Sequence, residues 1–136
     1  MLRIPAALRD EVIRHCLLAY PKEACGILAG SQDGPAGAVV QVYPMTNVED
    51  SPIGYSMDPK EQLRVERQMR QAGQRLLGIY HSHTASAAYP SPVDVSLAIS
   101  PDISYVLVSL KDRARPDFNS YRIDGQTITP EPVVIG

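Results

Sequence analysis

The chain has few cysteines, no excess of either charge and no long apolar run. Its two cysteines, Cys16 and Cys25, are too few for a disulfide framework. Lysine and arginine number 13 against 15 acidic residues and are scattered, so neither a nucleic acid nor an anionic membrane is a predicted partner. No apolar stretch approaches the roughly 20 residues that cross a bilayer, and charges interrupt residues 1–21, where a signal peptide needs an apolar segment. We therefore expect a cytoplasmic protein with reduced thiols.

Length and hydrophobic content are sufficient for one core. The chain has 136 residues, of which 44% are hydrophobic, and it contains no internal repeat and no linker. We predict a single domain over residues 1–136. The sequence leaves open whether the chain forms a homodimer.

Hydrophobic periodicity predicts a mixture of helices and strands. Helices are predicted at 6–19, 58–74 and 91–100, strands at 23–30, 38–45, 75–83 and 104–110, and a hairpin over 118–130 that turns at Asp124-Gly125. In the second helix, Asp58 is the predicted N-cap and Pro59 lies in the first turn. The predicted fold class is α+β, a sandwich-like arrangement in which helices flank a curved mixed sheet.

Two histidines end one of the predicted strands. Because side chains alternate along a strand, Leu77, Ile79, His81 and His83 share a face if the strand stays extended through residue 83. A carboxylate from a neighbouring element would complete the two-histidine, one-carboxylate ligand set of a catalytic zinc site, and Asp94 is the candidate.

Plainer interpretations exist for each of these residues. An H-x-H pair alone is weak evidence, since strand ends are often polar. Ser91, Pro92 and Asp94 together also make an ordinary helix start: an N-cap, a first-turn proline and an acid at the positive end of the helix. Hydrolysis further needs a general base, for which Glu23 is the candidate, although a solvated glutamate at a strand end explains that residue equally well.

In this order the residues resemble the JAMM, or MPN-plus (Mov34/JAB), metalloprotease family. The motif is an upstream glutamate, Glu23, followed by H-x-H, seven residues and S-x-x-D, which ends at Asp94. The resemblance extends to "PKEACGIL", "YPMTNVEDSPIGYSMDP" and "LLGIYHSHTASAAYPSPVD", and so covers nearly the whole chain. It implies a JAB/MPN-like fold, related to that of the cytidine deaminases.

The resemblance also implies a role for each motif residue. His81, His83 and Asp94 would bind Zn²⁺, Glu23 would be the general base and acid, and Ser91 would donate a hydrogen bond to the developing oxyanion. Many family members have proline after the second histidine, where this chain has Thr84, and that departure bears on loop shape rather than on the ligands.

The small size and the "HSHTASAAYPS" segment most resemble the bacterial branch that acts on sulfur-carrier proteins. These substrates are ubiquitin-like and end in Gly-Gly, and the relatives release an amino acid, notably cysteine, from that end. By this resemblance, the carrier tail binds near residues 54–58, "GYSMD", by strand addition.

Other interpretations stay open at this point. Two histidines and a carboxylate also describe a non-haem iron oxygenase, and the fold can serve as a non-catalytic interaction module. Zinc-dependent deamination requires H-x-E and P-C-x-x-C, which are absent from the sequence.

Among neighbouring residues, Cys25 could approach the metal or be a buried strand residue, and Tyr89 could line a groove. Tyr80 is expected in the core, and His15 on the surface or as a hydrogen-bonded core residue.

Overall fold

The computed structural model describes residues 1–49 and 51–136, within which there are eight strands and three helices. The elements are β1 (Leu2–Ile4), α1 (Ala6–Ala19), β2 (Cys25–Ser31), β3 (Val39–Met45), α2 (Pro59–Gln71), β4 (Gln74–His83), α3 (Pro92–Leu97), β5 (Ser104–Ser109), β6 (Asp117–Asp124), β7 (Thr127–Glu131) and β8 (Val133–Ile135).

Six strands form one mixed sheet in the order β3-β2-β4-β5-β6-β7. Only β4 and β5 pair in parallel within it, and the other neighbours along the described chain are antiparallel. A parallel pair needs a crossover, which here contains α3. The start of α3 is thereby brought to the end of β4, where the two histidines lie. The mixed α+β class is confirmed.

The predicted elements are present, with differences at their ends. The second helix begins as predicted, because the Asp58 side chain accepts a hydrogen bond from the Lys60 amide and Pro59 follows it. The third ends at Leu97 rather than at residue 100, because the Tyr105 hydroxyl accepts the amide hydrogens of Ile99 and Ser100. The short parallel pair β1–β8 was not predicted, since three-residue strands carry almost no periodicity.

Two hydrophobic clusters pack on opposite faces of the sheet. The cluster under α1 includes Val12, Leu28 and Tyr80, and the cluster under α2 includes Cys25 and Met69. Tyr80 is fully buried, as predicted, and its hydroxyl lies 2.6 Å from Nδ1 of His15, so that histidine is hydrogen-bonded and half-buried.

A β-bulge makes one part of the predicted strand alternation wrong. Between β2 and β4, Leu28 pairs with Gly78 and Ala29 pairs with Leu76, which leaves Leu77 as the extra residue. Leu77 therefore packs in the α1-side cluster with Tyr80, not on the face of His81. Regular alternation resumes after the bulge and carries the strand through His83.

Within the described part of the chain, no helix combines the length and the apolar composition that crossing a membrane would demand.

Candidate metal centre

Three side chains converge where β4 ends and α3 begins. Nε2 of His81 lies 3.1 Å from Oδ1 of Asp94, and Nε2 of His83 lies 3.0 Å from Oδ2 of the same carboxylate. All three residues can offer ligand atoms within 4.8 Å of one another, and both histidines are buried. Ligands at the usual Zn–N and Zn–O distances in a tetrahedron are about 3.3 Å apart, so this spacing suits a single ion.

The loop between β4 and α3 is held in a fixed course. Its carbonyl groups accept hydrogen bonds from the sheet: Ser109 Oγ donates to Ser86 O over 2.6 Å, and Tyr121 Oη donates to Ala88 O over 2.6 Å. Nδ1 of His83 also lies 2.9 Å from Ala87 O. These contacts curl the loop so that Asp94 faces the strand end.

The contact with Ala87 defines which nitrogen of His83 is free. A carbonyl oxygen can only accept, so Nδ1 must carry the hydrogen, and in the neutral ring Nε2 then has a bare lone pair. That lone pair points at an oxygen of Asp94, which is also an acceptor. Two acceptors at 3.0 Å are stable only with a cation between them, either a proton or a metal ion.

His81 supplies a second sign of a metal site. Its Nε2 is buried and, among the described residues, makes no hydrogen bond of acceptable geometry despite the nearby carboxylate. A buried polar atom without a partner is costly, and a metal ion would satisfy it. Burial also lowers the pKa of His81, against the influence of Asp94, which keeps the imidazole neutral as a ligand must be. The residues present therefore fit Zn²⁺.

Asp94 serves the helix and the cluster together. Its Oδ2 accepts the Ser91 amide hydrogen at 2.8 Å, while Ser91 Oγ accepts the Asp94 amide hydrogen at 3.1 Å, which is a capping box. Burial alone would raise the pKa of Asp94, but the imidazoles of His81 and His83 and the Ser91 amide outweigh it and hold that pKa far below its usual range. For His83, burial opposes protonation, but Asp94 and the Ala87 carbonyl outweigh burial and raise its pKa.

Glu23 lies opposite His83 because of the strand register. Cys25 pairs with His81, and the Ala24 amide donates to Oγ of Ser82 at 2.8 Å. Continuing this antiparallel register by one residue places Glu23 opposite His83. Glu23 is only 6% exposed. Burial raises the pKa of its carboxyl to about 7, with smaller contributions from His83, which lowers it, and from Asp94 and Glu49, which raise it. A carboxyl with a pKa near neutrality can both accept and return a proton.

These groups border an open cavity of about 400 Å³. Glu23, His83, Ser91 and Asp94 line it, whereas His81 lies behind them in a smaller apolar cavity. Of the predicted tail-binding residues 54–58, Gly54 and Tyr55 line the open cavity, but Met57 packs against the α2-side cluster and Asp58 caps α2.

Several neighbouring residues have roles that the sequence did not reveal. Tyr55 stacks on the His81 ring, with centroids 4.7 Å apart, and Asn47 makes four hydrogen bonds around the candidate site. In the sequence, residues 47–54 are marked only by their Asn, Pro and Gly content. That content predicts a turn but does not predict which residues Asn47 and Tyr55 contact. Cys25 is fully buried within the α2-side cluster, and Tyr89 packs edge-on against Tyr121 rather than lining the open cavity.

Comparison with known proteins identifies a family and finds peptidases among the relatives of this chain. The model of the prokaryotic homologs of the JAB domain matches residues 5–124. A CysO-cysteine peptidase from Mycobacterium tuberculosis is 47% identical over 135 residues, which cover 98% of this chain and 90% of that protein. A desampylase from Haloferax volcanii is 34% identical over 113 residues, which cover 79% of this chain and 80% of that protein.

Solved structures agree with this comparison. A protein from Desulfitobacterium hafniense, solved in solution, superposes with a TM-score of 0.90 at 38% identity and covers 100% of this chain and 93% of its own. A JAB1/MPN domain protein from Archaeoglobus fulgidus has a TM-score of 0.64 at 18% identity, with 98% of each chain covered, and shows a shared fold. The predicted JAB/MPN-like fold is thereby confirmed.

Proposed function

This chain belongs to the family of prokaryotic homologs of the JAB domain, and on that premise we propose that it is a zinc-dependent peptidase acting on a ubiquitin-like sulfur-carrier protein. The scissile bond is the amide after the carrier's C-terminal Gly-Gly, and the released group is an amino acid such as cysteine. The observation that carries the proposal is the convergence of His83 Nε2 and Asp94 Oδ2, 3.0 Å apart, beside a buried His81 Nε2 that makes no hydrogen bond of acceptable geometry among the described residues. The CysO-cysteine peptidase at 47% identity supports the substrate class.

His81, His83 and Asp94 are the proposed ligands. Zinc held by them would act as a Lewis acid, acidifying water and polarising the substrate carbonyl. The loop contacts of His83 and the capping box of Asp94 fix the orientation of the donor atoms before any substrate arrives.

Glu23 and Ser91 carry the proposed proton transfer and charge stabilisation. The Glu23 carboxylate takes a proton from the attacking water and returns it to the leaving amine, for which a pKa raised to about 7 by burial is suited. Ser91 Oγ accepts the Asp94 amide hydrogen, which leaves its own hydroxyl hydrogen available to donate to the developing oxyanion.

The carrier tail is proposed to enter along Gly54 and Tyr55. These residues line the open cavity with Glu23, and an isolated antiparallel bridge between Asn47 and Met57 follows them directly. An extended Gly-Gly tail would bind there through main-chain hydrogen bonds, as peptides do in strand addition.

The other functions account for fewer observations. An iron oxygenase would use the same three ligands but has no required use for Glu23, which is buried in the cavity with its pKa raised. A non-catalytic module would not need five polar side chains at one site. We also propose that residues 1–136 act as one domain in the cytoplasm, without a nucleic-acid or membrane partner.

The first experiment is metal analysis of the purified protein by elemental mass spectrometry, combined with cleavage of a carrier–cysteine adduct with and without a chelator. About one zinc per chain and cleavage abolished by the chelator are expected. Iron in place of zinc would support the oxygenase, and a metal-free protein unable to bind added zinc would refute the proposal.

Two variants separate the ligands from the base. Glu23→Gln should bind zinc and lose turnover, whereas His83→Ala should lose both. Equal loss of metal in the two variants would show that Glu23 is a ligand rather than the base.

A further inference from the structure

The two histidines of the cluster are oriented in different ways. His83 has its outer nitrogen, Nδ1, on Ala87 O, the usual means of fixing a metal-binding imidazole. No hydrogen bond among the described residues holds Nδ1 of His81. Instead, the ring of Tyr55 lies against the His81 ring, with centroids 4.7 Å apart and planes 30° from parallel.

The backbone on both sides of Tyr55 is clamped by one side chain. Asn47 donates through Nδ2 to Gly54 O at 3.0 Å and accepts the Ser56 amide through Oδ1 at 3.1 Å. The Val48 amide adds a hydrogen bond to Ser56 O at 2.9 Å. The peptide groups on both sides of Tyr55 are therefore held in place, which positions its side chain against His81.

The same clamp reaches the candidate base. Asn47 Nδ2 also donates to Glu23 O at 2.9 Å, and the Glu23 amide donates to Ser51 O at 3.0 Å. Both main-chain groups of Glu23 are thus bound by the loop that carries Tyr55. Thr84 secures the far side of this loop, because its hydroxyl donates to Pro52 O at 2.9 Å.

We propose that Tyr55 is a positioning residue for His81, and that its stacked ring replaces the missing hydrogen bond by fixing the imidazole with Nε2 toward Asp94. The inference rests on the proposed function, because it assumes that His81 binds zinc. A ring free to rotate would present Nε2 in the correct direction for only part of the time, which lowers the affinity for the metal. What is required of residue 55 is a flat ring and not a hydroxyl.

The test is the zinc affinity of Tyr55→Leu and Tyr55→Phe, measured by competition with a chromophoric chelator. Removing a group that orients a metal-binding side chain typically weakens metal affinity about 10- to 100-fold. For Tyr55→Leu we expect zinc affinity to fall by at least about 10-fold. Tyr55→Phe keeps the ring and should bind zinc within about twofold of the wild type. Circular dichroism of the metal-free proteins checks that each variant is folded.

Tyr89→Leu is the matched control, because Tyr89 is a half-exposed tyrosine in the loop between β4 and α3 that packs on Tyr121 and not on a histidine. It should retain wild-type zinc affinity. Wild-type affinity in Tyr55→Leu, or an equal loss in Tyr55→Phe, would overturn the inference. Failure of the proposed function is a separate outcome, in which the wild type itself binds no zinc.

Discussion

Replacing Glu23 with glutamine should stabilise the metal-free protein while it abolishes turnover. Glu23 is 6% exposed, and burial raises its pKa from 4.5 to about 7. Because the folded pKa is above the unfolded one, the contribution of Glu23 to stability is greatest below pH 4.5 and is lost as the pH rises to about 7. Glutamine does not titrate. The free energy of unfolding of the variant, relative to that of the wild type, should therefore increase between pH 4.5 and about 7.

The size of the effect follows from the pKa shift. At about 1.4 kcal/mol per pKa unit, the rise from 4.5 to about 7 corresponds to about 3 kcal/mol at most. The carboxyl borders an open cavity, and screening by solvent there should reduce the measurable difference to about 1–2 kcal/mol. Turnover of the zinc-loaded variant should fall about 10²- to 10⁴-fold, the usual contribution of a general base.

Urea denaturation with chelator at pH 5 and pH 8 measures this difference. Circular dichroism is the suitable probe, since the chain has no tryptophan. Comparing the two pH values cancels the fixed cost of burying an amide, because that cost does not change with pH. If the variant gained no stability over the wild type between pH 5 and pH 8, the folded protein would not raise the pKa of Glu23, and the argument from its burial would be refuted.

Three further predictions concern other parts of the site and its support. Ser91→Ala should lower the free energy of unfolding, measured by urea denaturation, by about 1 kcal/mol because α3 loses its N-cap. It should also lower turnover about 10²- to 10³-fold, and turnover at the wild-type rate would exclude an oxyanion role. Gly26→Ala should lower the free energy of unfolding by about 1–3 kcal/mol, because the new methyl group overlaps the ring of the buried Tyr80, and a wild-type melting temperature would contradict this. Zinc at about 1,000 times its dissociation constant should raise the free energy of unfolding by about 4 kcal/mol, an increase that His83→Ala should not show.

Local sequence patterns were sufficient to predict where α2 and α3 begin and which side chains meet at the end of β4. Asp58 and Pro59 mark the start of α2, and Ser91 with Asp94 marks the start of α3, because caps depend on residues only three positions apart. The H-x-H pair was recognisable for the same reason, since it needs only an extended strand end.

Features that depend on long-range contacts were not predictable. The bulge at Leu77 arises from pairing with β2, almost 50 residues earlier in the chain, and nothing around Leu77 itself signals it. The sequence assigned Tyr55 only to the predicted tail-binding segment, because its stacking on His81 depends on the hydrogen bonds that Asn47 makes to Gly54 and Ser56. Likewise, the early end of α3 depends on the Tyr105 hydroxyl, which comes from the next strand.

The shared carboxylate of Asp94 has a consequence for the kinetics of metal uptake. Its Oδ2 is bound to the Ser91 amide as part of the helix start, so folding of α3 orders the carboxylate without the ion. Zinc would then meet donor atoms already in place, and uptake should be a single step whose rate is proportional to zinc concentration, without a slow ordering phase. Any substitution that lengthens this side chain, such as Asp94→Glu, would uncouple helix initiation from metal capture and introduce that slow phase.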